Sequence, residues 1–369
     1  MKHKLAWTAV VFLVVLLCTA AAVVLFVVRP IQYGDVAGSE PVRVDIPTGA
    51  TLSEIATRLR AAGVVRYPLV FKQYAALAKL DRNVRPGEYE FVAGEAYRRI
   101  LDRLRQGDIL QVKVTIREGL TRREIAALLD QKLHIPPDDF MAVTEDAELR
   151  RRFDIDSPSL EGYLFPDTYF FPTKSGAKDV VHLMLLRFFA AWSPQFEARA
   201  RAIGMTRAQV LTLASIIEGE ALVDAERPRI SAVYHNRLRR DMLLQADPTV
   251  LYALGGVRRR VLYSDLLTIS PYNTYLNRGL PPGPICNPGL VSIEAALAPT
   301  PGTGELFFVA AQDGSGRHVF SATLEAHEAA KRRADRLLAA RAAARAAEDS
   351  SPKAPAPSRP APEKDRWSD

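Results

Sequence analysis

The sequence predicts an α+β chain carried on one N-terminal membrane helix, and three observations lead there. An uncharged apolar run fills Leu5–Val28, and a strand, glycine turn and helix pattern occurs twice between residues 41 and 155. From residue 156 to 339, helical periodicities alternate with short strand-like and turn-rich stretches. At 369 residues, with 48% hydrophobic and 25% charged, the chain can bury more than one core, so most of it is expected to fold. The formal charge of +7 suits an anionic polymer or a membrane surface without choosing between them. Part of that excess lies in Arg-rich helices and the tail, where a solvated face accounts for it.

The N-terminal run is expected to span a membrane. Lys2 and Lys4 precede it, Arg29-Pro30 closes it, and it meets the roughly 20 apolar residues that a bilayer crossing requires. A cleaved signal peptide would carry a shorter apolar core and a small-residue cleavage site. Cys18 follows Leu16-Leu17, a poor setting for lipid attachment, and its place inside the run leaves no disulfide framework with Cys286. The two lysines favour an N-terminus inside, against a weaker pull from Arg29. Residues 1–4 are then a cytoplasmic tip, 5–28 the span, 29–40 a linker, and the bulk of the chain lies outside the cytoplasm.

Two segments beyond the linker echo each other at a constant offset: VDIPTGATLSEIATRL (Val44–Leu59) and VTIREGLTRREIAALL (Val114–Leu129). Each reads as a Val-x-Ile strand, a turn at Gly49 or Gly119, and a helix opened by Thr51 or Thr121. Glu54 or Glu124 three residues on completes a capping box. Between the copies, RPGEYEF (Arg85–Phe91) puts Tyr89 and Phe91 on one face of a further strand. Residues 41–155 look like a LysM-like αβ module with an internal repeat, a kind that binds N-acetylated glycans elsewhere; a spacer between membrane and the following domain is an equally good reading.

From residue 156 the texture changes. LEGYLFPDTYFFP (Leu160–Pro172) sets aromatics between turn residues, and Phe165, Tyr169, Phe170 and Phe171 suit a core better than a ligand wall. MTRAQVLTLASIIEGEAL (Met205–Leu222) opens with a Thr206/Gln209 capping box. Its apolar positions cover every face, so this helix is expected to be buried all round. Glu218 ends it on the face of Leu211, Ala214 and Ser215. A carboxyl in such a wall is costly unless paired, hydrogen-bonded or protonated. Two explanations stay open: a raised pKa suited to a general acid, or a salt bridge to Arg227 or Arg229. Glu220 falls about 200° further round if the helix continues, pointing away from Glu218. Gly219 between them lets the helix end or a ligand approach closely.

ERPRISAVYHNRL (Glu226–Leu238) reads as an amphipathic helix with Ile230, Val233, Tyr234 and Leu238 on one face and His235 as a packing residue. In LLQADPTVLYALGG (Leu243–Gly256), Gln245, Asp247 and Thr249 alternate as in an extended chain that points three polar groups one way. Asp247 before Pro248 also suits a helix start. SPYNTYLNRGLPPGPICNPGL (Ser270–Leu290) is a long Pro- and Gly-dense loop whose Tyr272, Asn273 and Tyr275 suit a carbohydrate surface. LFFVAAQDGSGRHVFS (Leu306–Ser321) reads as a hairpin turning at Asp313-Gly314, and residues 340–369 as a helix fraying into a disordered tail.

In this order, EGYLFPDTY, LASIIEGEA, ERPRISAVYHNRL, LQADPTVLYALG, YNTY, GLPPGPICNPG and FFVAAQDGSGRHVFS resemble the endolytic murein transglycosylase family, MltG or YceG-like, over about Val42–Ala330. The resemblance implies an inner-membrane enzyme facing the periplasm, with residues 156–339 as its catalytic domain. Such an enzyme cuts peptidoglycan glycan strands internally, leaves 1,6-anhydro ends on N-acetylmuramic acid, and stops strand growth near the synthases, the penicillin-binding proteins. It places the catalytic role on Glu218 and substrate contacts on Gln245, Asp247, Thr249, Tyr272, Asn273, Tyr275 and Tyr163. No cofactor is implied.

Other chemistries find little support. There is no His-Glu-x-x-His or Cys-x-x-Cys spacing and no Gly-x-Ser-x-Gly elbow, so no metal is expected. RRR at Arg258–Arg260 lacks the aromatic interleaving of a nucleic-acid site. Two rivals stand: a hydrolytic muramidase with Asp247 as its second carboxylate, and a non-catalytic membrane scaffold that holds glycan and synthases through the repeated module.

Overall fold

Residues 2–32, 40–79, 84–256 and 259–350 are described by the structure, a computed structural model. It divides into two compact units, Met1–Pro194 with Ile285–Gly289, and Gln195–Pro284 with Leu290–Asp369.

The first unit opens with α1 (Lys2–Val23), which runs on through a π-helical stretch, Val24–Val28, into a last turn at Arg29–Gln32. Its Val10–Ile31 portion, 22 residues, is long and apolar enough to cross a bilayer. The helix passes Arg29, where the sequence reading placed a linker. Pro30 is buried and Ile31 packs on the first core, so the helix end is tied to folded protein. The linker positions 33–39 lie outside the described residues.

β1 (Pro41–Ile46), α2 (Leu52–Ala61), α3 (Pro68–Leu77), β2 (Gly87–Val92) and α4 (Tyr97–Gln106) follow and enclose one core. Next come β3 (Gln111–Thr115), α5 (Arg122–Leu133), α6 (Pro137–Thr144), α7 (Ala147–Arg152), β4 (Thr168–Pro172) and α8 (Ala177–Ala191). Both copies of the repeat form as their sequences require. Gly49 at φ +77° and Gly119 at φ +75° make the turns, and the Thr51/Glu54 and Thr121/Glu124 capping boxes open α2 and α5.

The likeness extends beyond the quoted segments. β1 pairs antiparallel with β2, Val44 opposite Tyr89, and β3 with β4, Val114 opposite Tyr169. Tyr89 and Phe91 stack with centroids 5.6 Å apart, and Tyr169 and Phe171 at 5.3 Å. Each tyrosine hydroxyl donates at 2.6 Å to the carbonyl four residues earlier, Arg85 or Phe165. Pairing of β4 with β3 carries the first compact unit past residue 156, the position at which the sequence reading began its second domain, and on to Pro194.

In the second unit, α9 (Pro194–Ala202) precedes α10 (Arg207–Glu220), which is opened by the Thr206/Gln209 capping box. Every residue of α10 from Val210 to Ile217 is buried. Its sheath is made by α11 (Arg227–Arg239), α12 (Asp247–Ala253) and α13 (Leu290–Leu297). Lying between α10, α13 and a hairpin strand, α11 is buried at every residue from Ile230 to Arg237, where the sequence suggested an amphipathic helix. That strand is β5 (Phe307–Ala310), paired with β6 (His318–Ser321), and α14 (Leu324–Ser350) lies along the pair. α14 carries the expected tail in helical form as far as Ser350; 351–369 lie outside the described residues.

Candidate active site

Helix α10 brings its last turn, Glu218-Gly219-Glu220, out of an aliphatic sheath. The Glu218 side chain is 8% exposed, and its Oε1 lies 3.2 Å from Nη2 of Arg227, which is equally buried. Arg227 is fixed on two further sides. Its Nε lies 3.0 Å from Asp224 Oδ1, and its Nη1 donates to Ser292 Oγ of α13 at 2.5 Å. The Glu218 carboxyl is therefore not enclosed by aliphatic groups alone, as the general-acid reading of the sequence supposed. A guanidinium faces it, and of the two arginines offered as partners it is Arg227; Arg229 pairs with Glu305.

Gly219 does not end the helix, which continues through Glu220. A Cβ at Gly219 would lie 2.7 and 2.8 Å from Cβ and Cγ of Pro248. The glycine is there so that the start of α12 can lie against α10, a close approach of protein rather than of ligand.

That contact brings Asp247 beside Glu220. Tyr234 of α11 donates its hydroxyl proton to Glu220 Oε1 at 2.9 Å. Burial pushes the Glu220 carboxyl up to about 7; the Tyr234 hydrogen bond and Arg237 pull it down, and the charge of Asp247 pushes it further up. Burial, and then the nearby Glu220, raise the Tyr234 phenol. Arg227 and Tyr234 stand seven residues apart on α11, about 10 Å along its axis at 1.5 Å per residue. The two carboxyls accordingly meet different groups, as the 200° rotation between them requires.

Of the two readings of the segment carrying Gln245, Asp247 and Thr249, the helix start at Asp247-Pro248 holds and the extended chain does not. Asp247 and Thr249 belong to α12, and Thr249 is fully buried, its hydroxyl donating to Ala246 O at 2.6 Å and bonding Thr274 Oγ1 at 2.9 Å. Ala246 N donates to Thr274 Oγ1 at 3.0 Å and Gln245 N to Thr274 O at 3.1 Å. These bonds rivet the loop after Ser270 to the start of α12. They hold exposed Gln245 at φ +48°, a region that non-glycine residues seldom occupy. Tyr275 donates to Asp247 Oδ1 at 2.6 Å, and its phenol is raised by burial first and by that bond second.

Residues 44–333 match the YceG-like family. The chain belongs to that family. It is 35% identical over 306 residues to a Bacillus subtilis protein named endolytic murein transglycosylase, covering 79% of this chain and 84% of that protein. A Streptococcus pneumoniae protein of the same name is 30% identical over 300 residues, covering 73% of this chain and 54% of the longer relative. Among solved structures, a YceG-like protein of Listeria monocytogenes superposes with a TM-score of 0.55 at 34% identity, covering 79% of this chain and 99% of that one.

Within this YceG-like chain the structure sorts the expected site residues into two groups. Glu218, Gln245, Asp247 and Tyr275 cluster at the α10 terminus and the α12 start, with Tyr272 packed on Tyr252 of α12 at 4.9 Å. The others are fasteners. Thr249 is described above; Asn273 is fully buried, its side chain donating to Leu266 O at 2.9 Å and Thr268 O at 2.8 Å. Tyr163 belongs to the first unit, 1% exposed and edge-on to Phe188 at 5.1 Å. None of these three, expected as substrate contacts, exposes its side chain; each packs or fastens a loop within the protein. Sequence reasoning missed Glu220, Tyr234 and Arg237 as electrostatic neighbours. In the sequence Tyr234 reads as part of an apolar stripe, although a tyrosine there also carries a hydroxyl that needs a partner.

Within the basic run, Arg259 clamps Asp265 through both terminal guanidinium nitrogens; Arg258 lies outside the described residues. Among the described residues, no group of His, Cys, Asp and Glu is arranged to hold a metal.

Proposed function

We propose that this chain is a membrane-anchored endolytic peptidoglycan lytic transglycosylase with Glu218 as its acid and base. The observation that carries the proposal is the placement of Glu218: the last turn of a buried helix, held by an arginine that two other groups fix, in a chain of the YceG-like family. Glu218 gives its proton to the oxygen joining N-acetylmuramic acid to the next N-acetylglucosamine as the bond from that oxygen to C1 breaks. The oxocarbenium-like C1 is then closed by the C6 hydroxyl of the same sugar, whose proton returns to Glu218. The products are a 1,6-anhydro end and a free hydroxyl on the departing sugar. Arg227 stabilises the carboxylate between the two transfers. No water and no second carboxyl is consumed, which leaves Asp247 and Tyr275, with Gln245 and Tyr272, to position glycan.

The remaining parts take supporting roles. Residues 41–92 run strand, helix, helix, strand around one core, which supports the LysM-like, glycan-holding reading of the module. Lys2 and Lys4 before the span support a cytoplasmic N-terminus with the catalytic unit in the periplasm, within reach of penicillin-binding synthases.

A second reading follows from Glu220. Its carboxyl, raised to about 7, holds a proton where a general acid needs one. The pair of substitutions Glu218→Gln and Glu220→Gln separates the two. Loss of glycan cleavage in the first with retained folding, and its survival in the second, supports Glu218; the reverse pattern moves the acid to Glu220.

A further inference from the structure

A cavity of about 350 Å³ opens where the membrane helix joins the first αβ copy, lined by Pro30, Arg60, Gly63, Arg66, Tyr67 and Tyr97 among others. Its depth is set by the helix itself, because Pro30 is the penultimate residue of the apolar span Val10–Ile31. Two contacts fix the module to that end: Phe26 within the span meets the Tyr67 ring edge-on at 5.9 Å, and Ile31 packs on the core. With α1 crossing a bilayer, the cavity lies at the level of the lipid headgroups, where tyrosines and arginines settle.

Its chemistry is cationic. Arg60 donates to the Arg66 backbone carbonyl, both arginines line the cavity, and the Arg66 guanidinium lies 5.5 Å from the centre of the Tyr67 ring. Both arginines are exposed, and no carboxylate occurs among the described residues that line the cavity. Tyr67 N donates to the Tyr97 hydroxyl at 2.9 Å, so the back wall is fixed. Beside it, Leu69 is 71% exposed, an apolar side chain next to an apolar span.

We propose that this cavity binds the phosphate of an anionic membrane phospholipid, Arg60 and Arg66 clasping the headgroup while Tyr67 and Leu69 rest in the interface. The bound lipid would fix the module's orientation at the bilayer surface. The proposal rests on the reading of α1 as a membrane span, and goes beyond the catalytic assignment.

The test uses the full chain in detergent micelles doped with phosphatidylglycerol or phosphatidylcholine, with retained lipid counted by native mass spectrometry. One phosphatidylglycerol per chain should be retained in preference to phosphatidylcholine. Arg60→Ala with Arg66→Ala should reduce that retention about 25-fold, near fivefold for each basic group. Arg60→Lys with Arg66→Lys should keep part of it, and both variants should melt at the parent's temperature with the parent's circular dichroism, which shows that they fold. Equal retention of the two lipids, or retention indifferent to the alanine pair, overturns the proposal. Displacement of the lipid by millimolar inorganic phosphate also overturns it, in favour of a soluble phosphate ligand. Alkaline extraction of membranes judges the span separately, since release of the parent chain would refute the span whatever the lipid count.

Discussion

Glu218 and Glu220 share a helix and are separated by one residue, yet the regions they face are of opposite kinds. Glu218 meets a guanidinium tied to Asp224 and Ser292; Glu220 meets the Tyr234 phenol and feels the charge of the Asp247 carboxylate. A guanidinium compensates a negative charge, whereas a phenol can only share a hydrogen bond and a second carboxylate repels. The rotation of 200° between such positions decides which residue of α11 each one meets. Chemistry at the end of α10 therefore depends less on the carboxyls than on Arg227 and Tyr234, two turns apart on the neighbouring helix.

The sharpest way to break the comparison is to neutralise each carboxyl in turn. Glu218→Gln should lower glycan cleavage by about 10²–10⁴-fold, the range of a general acid-base group, with Glu220→Gln far milder in turnover assays on isolated sacculi. Equal losses would mean that the two act as one unit.

Next in size is the arginine. Arg227→Met leaves a buried carboxyl without its cation and should cost about 3–5 kcal/mol of unfolding free energy in denaturant titration. Combining it with Glu218→Gln should recover much of that loss; no recovery would show that Arg227 acts mainly through Asp224 and Ser292.

Glu220→Gln is a stability experiment with a defined sign. A carboxyl near 7 in the folded chain, against an ordinary 4.5, leaves stability intact below about 4.5 and erodes it as pH rises through 7. The parent should lose up to about 3 kcal/mol across that window, and the glutamine variant should not, so the variant is the more stable one above pH 7. Parallel curves would place the Glu220 carboxyl in water.

A smaller effect is expected at Gly219. Gly219→Ala pushes a methyl against Pro248 and should destabilise by about 1–3 kcal/mol while shifting α12 and its Asp247. Its mark should be a raised KM for glycan fragments together with the melting change; unchanged KM would detach α12 from substrate binding.

The sequence made local features legible and long-range contacts much less so. The capping boxes at Thr51, Thr121 and Thr206 and the turn glycines Gly49 and Gly119 carry their instructions within a few residues, and all formed. The continuous burial of α10 followed from apolar residues on every face. What failed depended on partners remote in sequence. Alternation at Gln245, Asp247 and Thr249 suggested an extended chain; the competing signal, Pro248 after Asp247, was the right one, and Thr274, remote in sequence, locks the helix start. Gly219 looked like a stop and is a seat for Pro248. Tyr163 and Asn273 suggested substrate contacts, whereas Tyr163 packs on Phe188 and Asn273 ties two loop carbonyls. The second strand of each repeat was within reach: Tyr89-x-Phe91 and Tyr169-x-Phe171 carry the same aromatic pair, separated by a longer insertion in the second copy.

The claim that one carboxyl suffices, with the sugar's own hydroxyl as nucleophile, is tested most directly by the ends the protein makes. Sacculi treated with the purified full chain and examined by mass spectrometry should release muropeptides ending in 1,6-anhydro-N-acetylmuramic acid, cut from strand interiors. Reducing N-acetylmuramic acid ends, carrying ¹⁸O when the digestion is run in labelled water, would contradict the account and make water the nucleophile.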